Sequence, residues 1–180
     1  MRSKPISDRR RERHPATVAT REPAARLISV CRARNATIAT AESCTGGLIG
    51  GALTAIPGSS AVFRGGIIAY ADEVKQRLLG VPQATLARHG AVSAETVKAM
   101  ALGALKRTGA EYAVAVSGIA GPGGGTREKP VGLVFIAAAG KSRVTVSRHL
   151  FTGSRHSVRL QTVRAALSLL LRTTHITRTR

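Results

Sequence analysis

Tryptophan is absent from this 180-residue chain, and three phenylalanines and two tyrosines are its whole aromatic content. Phe63, Tyr70, Tyr112, Phe135 and Phe151 are too few and too scattered to form a base-stacking platform. Only two cysteines occur, Cys31 and Cys44. Their spacing suits neither a metal site nor a disulfide framework, and no secretory pattern precedes them, so a reduced, cytoplasmic setting is expected. Long apolar runs are missing too. None reaches the roughly 20 residues a membrane-spanning helix needs, which predicts a soluble protein. Acidic residues are scarce, nine against 28 basic ones, and the formal net charge is +19. Lysine is also sparse, with six residues at positions 4, 75, 98, 106, 129 and 141.

Against these absences stands a hydrophobic content of 43%, enough for one globular domain with a sizeable core. The charge is spread out rather than gathered. Residues 1–22 hold seven basic and three acidic side chains, three prolines follow closely upon one another through Pro23, and apolar periodicity is lacking. We therefore expect a basic disordered extension over 1–22, a domain over 23–172, and a short basic tail over 173–180. Dispersed charge points to general basicity of the source proteome ahead of nucleic-acid binding, and a favoured anionic ligand is compatible with both.

From Pro23 the pattern becomes regular. Ala24, Ala25, Leu27, Ile28 and Cys31 form a helical stripe, and "NATIATAES" reads as a strand running into small residues. "TGGLIGGALTAI" predicts a glycine-rich helix stopped by Pro57-Gly58, "GGIIAY" a buried strand, and "DEVKQRLLG" a short helix that Asp72 could cap. "SAETVKAMALGALKRTG" is the clearest helix, with Ser93 as N-cap and Gly109 past its end. "EYAVAVSG" is the clearest strand. "VGLVFIAAAG" and "SRVTVSRHLF" predict a hairpin around Gly140-Lys141, and a last helix should span about Ser154 to Arg172. Alternating strands and helices imply an α/β protein, a three-layer α/β/α sandwich around a mixed, mostly parallel five-stranded sheet.

Three unusual segments leave predicted strand ends: "ESCTGG", "YADEVK" and "SGIAGPGGGTREKP". In open α/β sheets that edge is where ligands bind. If the strands are parallel neighbours, Ser43, Tyr70 with Lys75, and the glycine loop 118–125 converge on one cleft. Ser43 would sit where a strand turns into a helix, with the N–H groups of Thr45, Gly46 and Gly47 free to stabilise an oxyanion. A serine hydroxyl needs a base. His14, His89, His149, His156 and His175 have no orienting carboxylate beside them in sequence, so Lys75 is the better candidate. A neutral lysine at pH 7 costs roughly 4–5 kcal/mol from an ordinary pKa of about 10.4, which only desolvation or a nearby cation supplies. Tyr70 could relay the proton.

Plainer roles stand beside these. Ser43 could be a helix cap, Lys75 a solvated helix residue, Tyr70 a strand-end core residue, and the glycine segment a flexible connection. Cys44 is either a small buried hydrophobe or a thiolate activated at a helix start. The glycine segment lacks the Gly-x-x-x-x-Gly-Lys-Ser/Thr pattern of a nucleotide triphosphate loop.

Taken together, "AESCTGG", "GSSAVFRGGIIAYADEVK", "HGAVS", "SGIAGPGGGTREKPVG" and "FTGSR" are more specific than any one of them. In order and spacing they resemble the CinA carboxy-terminal domain family, which includes nicotinamide-nucleotide amidohydrolases. The resemblance spans about Pro23 to Arg172. It implies the same α/β/α fold and hydrolysis of the carboxamide of nicotinamide mononucleotide to nicotinic acid mononucleotide and ammonia, in pyridine nucleotide recycling. It also implies a serine nucleophile assisted by tyrosine and lysine, which fall on Ser43, Tyr70 and Lys75, with no metal or organic cofactor. Substrate contacts would come from Thr45, Gly46, Gly47, Ser117, Gly118, Gly121, Gly123, Lys129 and Arg155. Two positions depart from the family pattern: Asp72, where asparagine is common, and Ser154, where aspartate is common. Expected partners are a pyridine mononucleotide and further copies of the chain, without a membrane. Competing functions are a non-catalytic nucleotide-binding module of competence or DNA processing, and a serine amidase for another small amide.

Overall fold

The computed structural model describes residues 15–140 and 142–176. Their elements run α1 (Pro15–Ala33), β1 (Ile38–Glu42), α2 (Leu48–Thr54), a 3-10 turn at Ser59–Ala61, β2 (Phe63–Ile68), α3 (Asp72–Leu79) and α4 (Gln83–His89). There follow α5 (Ala94–Thr108), β3 (Tyr112–Gly118), β4 (Leu133–Ala139), β5 (Val144–Leu150) and α6 (Arg155–Ile176).

The strands form one sheet in the order β2-β1-β3-β4-β5. β1 lies between β2 and β3 and is parallel to both, whereas β4 and β5 pair antiparallel. The mixed five-stranded sheet is as expected. Its pairings divide evenly between parallel and antiparallel instead of being mostly parallel, because helices connect β1, β2 and β3 while β3, β4 and β5 follow one another as a meander.

Strand alternation builds two cores of different grain. Ile38, Val114, Val116, Val134 and Ile136 face Leu27, Leu53, Leu167 and Leu170 of α1, α2 and α6. Ala39, Ala41, Ala113, Ala115, Ala137 and Ala139 face Leu79, Val97, Met100 and Ala104 of α3 and α5. Small residues on that second face let α5 lie close to the sheet. The result is the expected three-layer sandwich.

Several boundaries differ from the sequence reading. Helix α1 begins at Pro15 and passes through Pro23, so residues 15–22 are helical where disorder was expected. Pro23 forfeits its own helix N–H, and burial of Thr20, Ala24, Leu27, Ile28 and Cys31 offsets this. The rest of that extension, 1–14, lies outside the described residues, as do Lys141 and 177–180. Helix α6 continues to Ile176, with Thr173 and Thr174 buried, where a tail was expected from 173. Asp72 is the first residue of α3 and Ala71 its N-cap, without a side-chain cap. Ser93 caps α5 as expected, accepting from the Thr96 N–H at 3.2 Å. Helix α4 escaped the sequence reading because it is seven residues long and buries no side chain fully. Among the described residues, no helix is long and apolar enough to cross a membrane.

Candidate active site

Backbone pairing sets the site. The Ser43 N–H donates to the Val116 carbonyl at 3.1 Å, and the Ala69 N–H donates to the Glu42 carbonyl at 2.8 Å. Ser43 therefore leaves β1 with Tyr70 on one side and Ser117 on the other. The convergence expected of "ESCTGG", "YADEVK" and the glycine loop is realised at the carboxyl end of three parallel neighbours. Ser43 is 8% exposed, and its Oγ bonds no described residue. Among the described residues every fully buried side-chain nitrogen or oxygen has a partner, so this hydroxyl faces solvent.

A residue that the sequence reading passed over organises the turn. Glu42 is buried, and its carboxylate accepts from Thr45 Oγ1 at 2.7 Å, the Gly47 N–H at 3.0 Å and the Ile49 N–H at 3.0 Å through Oε2. Through Oε1 it accepts from the Gly50 N–H at 2.8 Å and Thr40 Oγ1 at 3.3 Å. A carboxylate at a helix start satisfies orphan amides and opposes the helix dipole. The signal was a lone acid among small residues just ahead of a glycine-rich helix.

Counting amides changes the oxyanion expectation. The Gly46 N–H donates to Ser43 O, Gly47 to Glu42, and Leu48 to Thr45 O. The helix-start donors Gly46 and Gly47 are thus engaged inside the turn, since Glu42 and the turn's own carbonyls reach them first. Among residues 44–51, only the amides of Cys44 and Thr45 donate to no carbonyl or carboxylate of the described chain. Both residues are buried, Thr45 fully and Cys44 to 4% exposed.

Lys75 is 1% exposed. Its Nζ donates to the Tyr70 carbonyl at 2.9 Å and to Asp72 Oδ1 at 2.9 Å, an ion pair whose carboxylate is half exposed. The solvated-helix role for Lys75 is thereby excluded. Tyr70 is 58% exposed, which excludes a core role, and its phenol oxygen accepts from Arg155 Nη2 at 3.0 Å. Arg155 Nη1 donates to the Gly121 carbonyl at 2.8 Å. The guanidinium thus bridges the loops after β2 and β3, across the end of β1. No hydrogen bond joins Ser43 to Lys75 or Tyr70.

Other expected ligand residues serve the framework. Ser117 is buried and donates to Ala91 O at 2.7 Å, and Lys129 Nζ donates to His89 O at 2.7 Å. Both tie the β3 end to the α4–α5 connection. Gly118 is required by packing, because a Cβ there would stand 2.7 Å from Leu133 O. Gly121 has φ 79, whereas Gly123 has nothing within 4 Å of an added Cβ and borders open space. Ser154 accepts from the Ser157 N–H at 3.3 Å and so opens α6, a task an aspartate there would share. Arg159, also unforeseen, donates to Cys44 O at 3.2 Å and Thr45 O at 2.8 Å. Nothing in a chain with so many arginines singled it out.

Burial pushes the Cys44 thiol up to about 11, so it is a protonated, 4%-exposed packing group at neutral pH and no activated thiolate. Two surface grooves lie away from this edge. One, of about 480 Å³, is lined by Ile28, Arg32, Ile56 and Pro57, the other, of about 410 Å³, by Leu79, Leu102, Gly103 and Arg107.

Known proteins show the same organisation. The chain is 52% identical over 148 residues to a nicotinamide-nucleotide amidohydrolase PncC of Pseudomonas putida, covering 82% of this chain and 92% of that protein. A CinA-like protein of Parasynechococcus marenigrum is 53% identical over 148 residues, 81% of this chain. The match spans only 35% of that relative, so the chain spans about a third of the length of such CinA-like proteins. Among solved structures, the competence/damage inducible protein CihA of Agrobacterium tumefaciens superposes with TM-score 0.84 at 47% identity, covering 86% of this chain and 94% of that one. A competence damage-inducible protein A of Klebsiella pneumoniae superposes with TM-score 0.85 at 37% identity, covering 88% and 99%. The CinA C-terminal domain model matches residues 20–174; with the sheet order, the Ser43 turn and the buried Lys75 already in place, the chain belongs to the CinA C-terminal domain family.

Proposed function

We propose that the protein is a serine amidohydrolase that converts nicotinamide mononucleotide to nicotinic acid mononucleotide and ammonia, in pyridine nucleotide recycling. The observation that supports this reading is that β1 and β2 end side by side, with Ser43 following the one and Tyr70 and the buried Lys75 following the other. The name of the Pseudomonas putida relative supports the substrate. Ser43 Oγ attacks the carboxamide carbon, and its proton passes to Lys75 by way of Tyr70. The oxyanion lies against the Cys44 N–H. Nitrogen leaves with that proton as ammonia, and water then hydrolyses the acyl-enzyme to the carboxylic acid. The 5′-phosphate rests near Gly121 and Gly123, with Arg155 and Lys129 supplying positive charge. No cofactor is required. Two free cysteines accord with a cytoplasmic location, and exposed Ile68, Tyr70 and Leu150 accord with self-association.

One observation favours a non-catalytic nucleotide-binding module instead: Ser43 lacks a bonded base, and Lys75 is paired with Asp72. Ammonia release from nicotinamide mononucleotide and a small-amide panel separates the readings. Wild type should release ammonia from the mononucleotide, and Ser43→Ala should lose this while still binding it. Binding without turnover on any amide would favour the module, and turnover of another amide alone would favour a different amidase.

A further inference from the structure

Two arginines one turn apart on α6 reach all three loops of the site. Arg155 joins Tyr70 to Gly121, and half-buried Arg159 grips the carbonyls of Cys44 and Thr45. We propose that Arg159 is a positioning residue for the nucleophile turn, acting on Ser43 through the Cys44–Thr45 and Thr45–Gly46 peptide groups. This rests on the reading of Ser43 as nucleophile.

The guanidinium is a planar fork with fixed donor directions, so holding two consecutive carbonyls sets the tilt of both peptide planes. A trans peptide carries its N–H opposite its C=O. The Thr45 and Gly46 N–H groups therefore point away from α6, the latter onto Ser43 O at 3.1 Å. Glu42 grips the same turn through a different set of atoms, Thr45 Oγ1 and the amides of Gly47, Ile49 and Gly50. Cation on the carbonyls and anion on the donors hold the turn from two sides, in addition to the buried side chains of Cys44 and Thr45. Gly46 and Gly47 sit at φ 59 and 95 with no side chains to pack. The Cβ position of Gly46 is 3.5 Å from Arg159 Nη2, so the guanidinium lies directly against the turn.

The test compares wild type with Arg159→Gln, Arg159→Lys and, as control, Arg164→Gln at an exposed position of the same helix. One readout is the rate at which phenylmethanesulfonyl fluoride labels Ser43, located by peptide mass spectrometry. The other is kcat and KM for ammonia release from nicotinamide mononucleotide. Arg159→Gln should slow labelling and kcat together by about 10- to 100-fold, with KM within about threefold, because a shift of about an ångström in a reacting atom costs that much. Added guanidinium ion should restore part of the loss, Arg159→Lys should fall between, and Arg164→Gln should match wild type. Equal labelling rates in wild type and Arg159→Gln overturn the proposal. A loss confined to KM also overturns it, by placing Arg159 on the ligand. Should Arg159→Gln fail to fold, a wild-type labelling rate in Arg159→Lys counts against the proposal, and a slowed one that guanidinium partly restores counts for it. Wild type labelled at Ser43 but releasing no ammonia refutes the substrate reading alone, and the labelling comparison still decides the role of Arg159. Wild type unlabelled at Ser43 overturns both.

Discussion

Asp72 meets Lys75 at 2.9 Å in an ion pair. A lysine that must accept a proton works against that contact. Asp72→Asn keeps the shape and an acceptor oxygen while removing the charge, so turnover at pH 7 should rise severalfold. Lys75→Arg keeps the charge but cannot release a proton near neutrality, and about 10²- to 10⁴-fold of turnover should be lost, as general-base catalysis is worth that much. Steady-state kinetics on nicotinamide mononucleotide check both. Substantial turnover in Lys75→Arg would leave Lys75 as a clamp on the Tyr70 carbonyl and move the base elsewhere.

Between elements, α5 approaches the end of α3 closely at Gly103. A Cβ on Gly103 would stand 1.9 Å from the Leu79 carbonyl oxygen, a backbone atom that cannot swing aside. Gly103→Ala should therefore destabilise by about 3 kcal/mol, the upper end of ordinary overpacking. For a chain of this size, that lowers Tm by roughly 6–12 °C. Exposed Gly51 in α2 meets nothing within 4 Å. Gly51→Ala should stabilise by roughly 0.5–1 kcal/mol, since alanine suits a helix better than glycine. Calorimetry on the two variants reads opposite signs if packing at Gly103 is as tight as its geometry shows. Because α3 carries Lys75, a forced separation at Gly103 should also reach the site.

For the whole molecule, the two buried thiols set an alkaline limit. Burial pushes Cys31 and Cys44 from the ordinary value of 9.0 to about 11. Between those values the folded chain keeps protons that the unfolded chain gives up, so stability is full below about pH 9 and falls as pH rises towards 11. Each thiol accounts for roughly 3 kcal/mol of that fall at most. Urea unfolding at pH 8 and pH 10 should show a smaller loss in Cys31→Ala/Cys44→Ala than in wild type. An identical loss in both would mean that the thiols do not govern the alkaline limb.

Local pattern was enough to mark Ser93 as a cap, "EYAVAVSG" as a buried strand and the Ser43, Tyr70 and Lys75 segments as strand ends, because caps and periodicity act within a few residues. The same pattern placed the start of the first helix too late, since whether α1 extends back across Pro23 depends on the face against which Leu27 and Ile28 pack. Sequence determined that a serine, a tyrosine and a lysine follow strand ends, and the sheet order made those strands neighbours. Tertiary structure alone decided what each touches. Lys75 found Asp72, Tyr70 found Arg155 from 85 residues away, and the turn after Ser43 found Arg159. Glu42 shows the reason most plainly. Its carboxylate is adjacent to Ser43 in sequence, but which amides it takes depends on α2 docking above β1, and that docking is set by the buried Ile49 and Leu53 meeting the core of α1 and α6.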